Sequence, residues 1–321
     1  MNDRARFQVD LARLARGRHR FRLERGGVGF EVFVWRGEPG PVLLVNGGTH
    51  GDEYEGPALL LDWARTWRPR ALRGALVLVP VLNEAAFAAG QRRSPRDGLD
   101  LARIFPGRAG GKPSERLARL FDQELLAQAT HYLDLHSAGA AYELLPWVAY
   151  STNVPPALER IQRDMASCFD RYWRWGGPLL PGRTLSAARD RGIAAITTEC
   201  RGAGGIHAAD LAALDLGLRR LLAHLGCHGE RLPARRRQRV LVSRAGRDML
   251  LQEQNLAPSD GFFFPRVRVG EVVRRGQVMG EVAALGGGSA PVRAARAGRI
   301  INLRRRRSVA RGDSLATTAP V

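Results

Sequence analysis

Lysine is almost absent from this chain: of 50 lysines and arginines in 321 residues, only Lys112 is a lysine. The formal net charge of +19 is therefore an arginine charge. With alanine and glycine rich in the same way, it reads as a genome-wide compositional bias rather than a nucleic-acid footprint. The runs Arg235 to Arg237 and Arg304 to Arg307 lack the interleaved aromatics on which single-stranded bases stack, so no specific nucleic-acid partner is expected. Cysteine is scarce too. Cys168, Cys200 and Cys227 form no CxxC pair, which excludes a zinc knuckle and fits a reducing compartment. No apolar run approaches the ~18 residues of a membrane span. The N-terminal stretch mixes Asp3 and Asp10 with arginines and has no secretory apolar core. A cytoplasmic protein without a membrane partner is the expectation.

What is present supports a core of ordinary size. Hydrophobic residues make up 45% and charged ones 25%, and the length suits a main domain with a smaller companion. Residues 226 to 239 have little periodicity, much arginine and glycine, and Pro233, which places a boundary between residues 1–228 and 229–321.

The first domain turns on PVLLVNGGTHGDEYEGP, residues 41 to 57. Val42 to Val45 is a short apolar run broken by Asn46-Gly47-Gly48, the pattern of a buried parallel strand ending in a turn. Pro57 opens a helix behind it. His50 and Glu53 thus lie on a loop at the carboxyl end of a strand, where open α/β sheets bind ligands. Further strands are expected at 21–23, 30–35, 75–82, 131–135, 143–150 and 193–198. Helices are expected near the N-terminus and at 57–66, 114–125, 155–170, from about 184, and at 207–225. Residues 90–113 form a long loop whose apolar residues argue for order. The second domain reads as short strands and turns.

Three strand ends now carry ionisable side chains: His50 with Glu53, then His136, then Glu199. Along one edge of a parallel sheet they converge. Two histidines and a glutamate are the ligand set of a catalytic zinc, leaving Glu199 as general base. Asp134, two residues before His136, shares its strand face and can orient an imidazole.

Five motifs in order, NGGTHGDE, PVLNEAAF, DGLDLARIFPG, DLHSAG and TTECRGAGG, resemble the succinylglutamate desuccinylase/aspartoacylase family of the zinc carboxypeptidase clan, over about residues 40 to 225. The resemblance implies an α/β fold, a mixed and mostly parallel sheet between helices. It also implies one zinc ion per subunit on His50, Glu53 and His136, with Glu199 as catalytic residue. Hydrolysis of the amide in an N-acylated amino acid follows. It places a carboxylate clamp on Arg103 and a carbonyl-polarising arginine on Arg92, with Arg93 and Arg96 as rivals. The clamp departs from the family, because Ala102 stands where an asparagine usually precedes the arginine. The lost amide donor is worth ~1.5–3 kcal/mol when not replaced. The C-terminal segment resembles the half-motifs of barrel-sandwich domains of the biotinyl/lipoyl type, but without a lysine it cannot carry a prosthetic group. A metallocarboxypeptidase acting on peptides and a non-catalytic binder of acidic polymers or nucleic acid are the competing readings. Assembly of several copies stays compatible with the sequence.

Overall fold

The computed structural model describes residues 8–178, 180–241 and 254–321. Its centre is a nine-stranded sheet in the order β1-β2-β4-β3-β5-β9-β7-β8-β10. These strands are β1 (Gly17–Arg25), β2 (Val28–Arg36), β3 (Glu38–Asn46), β4 (Arg73–Val79), β5 (His131–Ser137), β7 (Trp147–Ser151), β8 (Trp173–Gly177), β9 (Ala194–Cys200) and β10 (Val240–Leu241). The pairs β3–β4, β3–β5, β5–β9, β7–β8 and β8–β10 are parallel, while β1–β2, β2–β4 and β7–β9 are antiparallel.

Strands β3 to β5 are apolar on both faces because helices cover both. One face packs Leu43, Val45, Leu133 and Leu135 against Leu60 and Trp63 of α1 (Glu55–Thr66), Met165 of α4 (Pro156–Ser167) and Leu218 of α6 (Ala208–His224). The other packs Leu44, Val77 and Tyr132 against Phe121 of α3 (Pro113–Glu124) and Leu185 of α5 (Thr184–Asp190). A mixed, mostly parallel sheet between helices is therefore what the structure shows.

Some local expectations change. The described residues 8–16 form turns and no helix; residues 6 and 7 of the expected N-terminal helix lie outside the described residues. Backbone donors there are satisfied from α3 and its end, Gln8 N–H by Glu124 and Leu11 N–H by Gln128. The strand expected over 143–150 is two. Leu145-Pro146 separates β6 (Tyr142–Leu144) from β7, and β6 turns away to pair with the C-terminal strand Gly298–Arg304. A five-residue helix, α2 (Glu84–Ala88), follows Asn83, whose side chain accepts from Ala86 N–H.

The C-terminal region holds two four-stranded antiparallel sheets around Phe263, Met279, Val282, Ile300 and Leu303. One of them is completed by β6 from the main domain. A second seam joins Trp147, Ala149 and Trp175 to Leu241, Ile301 and Ala319. Strand β10 lies beyond residue 228 yet belongs to the large sheet through β8. No helix among the described residues is long and apolar enough to cross a membrane.

Candidate metal centre and active site

The sheet edge brings His50, Glu53 and His136 together, with one ligand atom from each within 4.8 Å of the others and all three residues buried. Glu53 lies between the rings: its Oε1 is 2.6 Å from His50 Nδ1 and its Oε2 is 2.8 Å from His136 Nδ1. Each far ring nitrogen faces a carboxylate. His136 Nε2 is 3.0 Å from Asp134 Oδ2, and His50 Nε2 is 3.0 Å from Asp100 Oδ1. Asp134, buried in the sheet, also accepts from Asn46, Thr49 and Thr184. Asp100 is less enclosed. It receives Arg92 Nε at 3.1 Å and the Ala102 N–H at 3.0 Å.

The charges of this cluster test whether a metal fits. Burial disfavours an imidazolium at His136, but the Asp134 and Glu53 carboxylates outweigh it and hold that ring well above the ordinary histidine range. Burial likewise raises Glu53, and the two imidazoles overturn it and draw the carboxyl far below its usual range. Carboxylates thus converge on the two rings, Glu53 between them and an aspartate behind each. His50, Glu53 and His136 would hold a divalent cation, whose positive charge would balance the clustered carboxylates, and the far ring nitrogens already face acceptors as metal-ligating histidines require. The residues fit the group.

Glu199 is the direct neighbour of His136 across the β5–β9 ladder. Burial and then the Glu53 charge push its carboxyl above the ordinary range, the state a proton-transferring group needs near neutral pH. Arg92 reaches over the cluster, its Nη1 3.3 Å from His50 Nδ1 and 3.6 Å from Glu53 Oε1. Its rivals point elsewhere: Arg93 donates to the Gly98 carbonyl and Arg96 to the Gly27 carbonyl. Arg103 lines the same cavity from an exposed position.

Sequence reasoning missed Asp100 and Arg183. Asp100 lies in a loop, where strand alternation says nothing about direction. Arg183 lines the cavity, where burial and the neighbouring Arg103 guanidinium lower its pKa to about 10. Gly182 makes this neighbourhood possible. Its φ is +81°, a Cβ there would lie 2.2 Å from the Arg103 carbonyl oxygen, and its own carbonyl accepts from Phe105 N–H. One signal was available: Arg183 caps the N-terminus of α5, where a cation opposes the helix dipole and calls for another reason to be there.

The cavity over these residues encloses about 570 Å³. It runs from His50 and His136 past Glu199 to Trp147 and Trp175, and Asn302 and Arg306 of the C-terminal region also line it.

Residues 39–225 match the model of the succinylglutamate desuccinylase/aspartoacylase catalytic domain. The chain is 30% identical over 301 residues to the N-alpha-acetyl-L-2,4-diaminobutyric acid deacetylase of Halomonas elongata, covering 92% of this chain and 87% of that protein. Among solved structures it is similar to a succinylglutamate desuccinylase from a Silicibacter species, with a TM-score of 0.88, 27% identity and full coverage of both chains. The product-bound ectoine utilization protein EutE (DoeB) of Ruegeria pomeroyi is similar with a TM-score of 0.87, 28% identity and 98% of both chains covered. The match over more than half the chain, together with the shared fold, makes this protein a member of the succinylglutamate desuccinylase/aspartoacylase family, hydrolases of amide bonds.

Proposed function

We propose that the chain removes the acyl group from N-acylated amino acids, using one zinc ion per subunit held by His50, Glu53 and His136. The observation that carries this reading is the pair of Nδ1 atoms facing Glu53, each ring backed by its own aspartate, with Glu199 on the adjoining strand. A zinc ion there supplies Lewis acidity that brings the pKa of its water towards ~7 and polarises a carbonyl oxygen.

The remaining work falls to side chains. Glu199 takes the proton from the attacking water and returns it to the departing amine, which cannot leave as an anion. The Arg92 guanidinium donates to the oxygen on which negative charge develops. Asp134 and Asp100 fix the orientation of the two rings. Arg103 binds the substrate carboxylate, and Arg183 beside it supplies the donors that Ala102 does not. Because Asn302 and Arg306 from the C-terminal region help to line the cavity, the site suits a small acylamino acid better than a peptide.

Metal content and amide hydrolysis measured together test the proposal, on the natural chain and on His50→Ala, over N-acetyl and N-succinyl amino acids. One equivalent of zinc, lost in the variant along with turnover, is the expected outcome. A chain that holds no metal, or one whose hydrolysis survives His50→Ala, overturns it.

A further inference from the structure

The three donors to Asp134 approach it from two sides. Asn46 Nδ2 at 3.0 Å and Thr49 Oγ1 at 3.4 Å both reach Oδ1, from the end of β3 and from the loop that carries His50. Thr184, the first residue of α5, donates its hydroxyl to Oδ2, the oxygen that lies 3.0 Å from His136 Nε2. A carboxylate bonded at both oxygens from separate elements keeps one orientation, and the imidazole in front of it is oriented with it.

The Thr184 hydroxyl is used against local preference. A threonine or serine at a helix start ordinarily accepts from the N–H groups of its own first turn. In α5 the cap position belongs to Arg183, which makes no side-chain cap bond, and the hydroxyl one residue further on turns to Asp134. Thr184 is only 2% exposed, so water offers no substitute donor.

The same short segment carries the carboxylate clamp. Burial and the Arg103 charge both work against the Arg183 guanidinium. Like charges repel, so Arg183 stays beside Arg103 only where its backbone is held. Its carbonyl accepts from Ser186 N–H at 3.1 Å, Ala187 N–H at 3.2 Å and the Ser186 hydroxyl at 2.6 Å. On one side of it, Gly182 accepts from Phe105 N–H at 2.9 Å and packs on the Arg103 backbone. On the other, the Thr184 hydroxyl is bonded to Asp134. Residues 182 to 184 thus join the Arg103 segment, the second clamp arginine and the aspartate behind His136.

We infer that Thr184 is a positioning residue for both halves of the site: its hydroxyl holds the Asp134 oxygen behind His136, and through that bond the start of α5 holds Arg183 at the substrate carboxylate. The inference rests on the deacylase reading and deepens it. A carboxylate remote from the scissile bond is bound alike in the ground state and the transition state. Loss of the bond should therefore raise KM and spare kcat once zinc is saturating.

Thr184→Val keeps the shape of the side chain and removes the donor. Competitive zinc titration of this variant is expected to show affinity lower by about threefold to tenfold. That is less than the 10–100-fold typical of a direct partner of a ligating histidine, because Thr184 stands one bond further out. With zinc saturating, KM for the best substrate among the N-acetyl and N-succinyl amino acids should rise about tenfold, with kcat changed less than about twofold. Thr184→Ser retains the hydroxyl and should restore both quantities. In an Arg183→Gln chain, Thr184→Val should add less than about twofold to KM, since the group it positions is already gone. If Thr184→Val does not fold, Thr184→Ala removes the same hydroxyl and takes its place. Natural zinc affinity or natural KM in Thr184→Val overturns the inference, as do a Thr184→Ser chain that restores neither and full additivity with Arg183→Gln. A natural chain that binds zinc but hydrolyses none of the panel sinks the deacylase reading alone. The zinc titrations of Thr184→Val and Thr184→Ser then decide the role of Thr184.

Discussion

At the metal end of the cavity Asp134 accepts from Asn46, Thr49 and Thr184 and holds His136, so its oxygens are fully engaged. At the β7–β8 end the indole N–H groups of Trp147 and Trp175 are buried without an acceptor among the described residues. Their rings meet edge to face at 5.2 Å and pack on Ile301 and Ala319 of the C-terminal region. The first end is held by directional bonds to a buried carboxylate and the second by apolar contact. On the proposed reading, chemistry common to every substrate belongs to the first. Substitutions at the metal end should lower all turnover alike.

The largest effect is expected from Glu199→Gln. The amide keeps the shape and the place beside His136 but can neither accept nor return a proton. Turnover should fall by about 10²–10⁴-fold for every substrate, with zinc content unchanged. A variant that loses zinc along with activity would move Glu199 from proton carrier to ligand.

A smaller effect separates the two aspartates. Removing a partner behind a metal-ligating histidine typically weakens metal binding by 10–100-fold, and Asp134→Asn should do so. Asp134 is buried and water has no access to replace it, whereas the Asp100 side chain is 12% exposed and shared with Arg92. Asp100→Asn should therefore cost less metal affinity while lowering turnover through the displaced Arg92. Competitive zinc titration of the two variants checks the order. A greater loss in Asp100→Asn would make the loop aspartate the more important of the two.

The polar end was the legible one, for reasons that lie in strand geometry. Alternation along residues 131 to 137 places Asp134 and His136 on one face, and a glycine-broken apolar run announces the loop of His50 and Glu53. Both signals are local. Arg183 and Asp100 owe their roles to contacts across 80 and 50 residues of sequence, with Arg103 and His50 respectively, and no local pattern encodes those. Strand β8 was missed because Gly176-Gly177 at its end reads as a turn. Its partners β7 and β10 override that weak propensity. The expected strand over 143–150 hid the break at Pro146, where the chain leaves one sheet for another. That break brings Tyr142 and the C-terminal region to the cavity.

The seam made by that break gives the smallest expected effect. The Tyr142 hydroxyl donates to the Ser314 carbonyl and accepts from Arg304 Nη1, both at 3.2 Å, tying β6 to the C-terminal sheets. Tyr142→Phe removes both bonds and keeps the ring under the Arg304 guanidinium, 5.6 Å from its centroid. Arg304 retains its ion pair with Asp313 at 2.8 Å, so no buried charge is left alone. The loss should be about 1 kcal/mol, the net worth of an ordinary hydrogen-bonded pair. For a chain of this size that lowers Tm by roughly 1–2 °C. Zinc content should not change, because Tyr142 touches none of the ligands. Differential scanning calorimetry of the zinc-loaded variant measures the shift. A drop much beyond that range would mean that the seam carries the stability of the whole cavity end, and the division between a bonded end and a packed end would fail there.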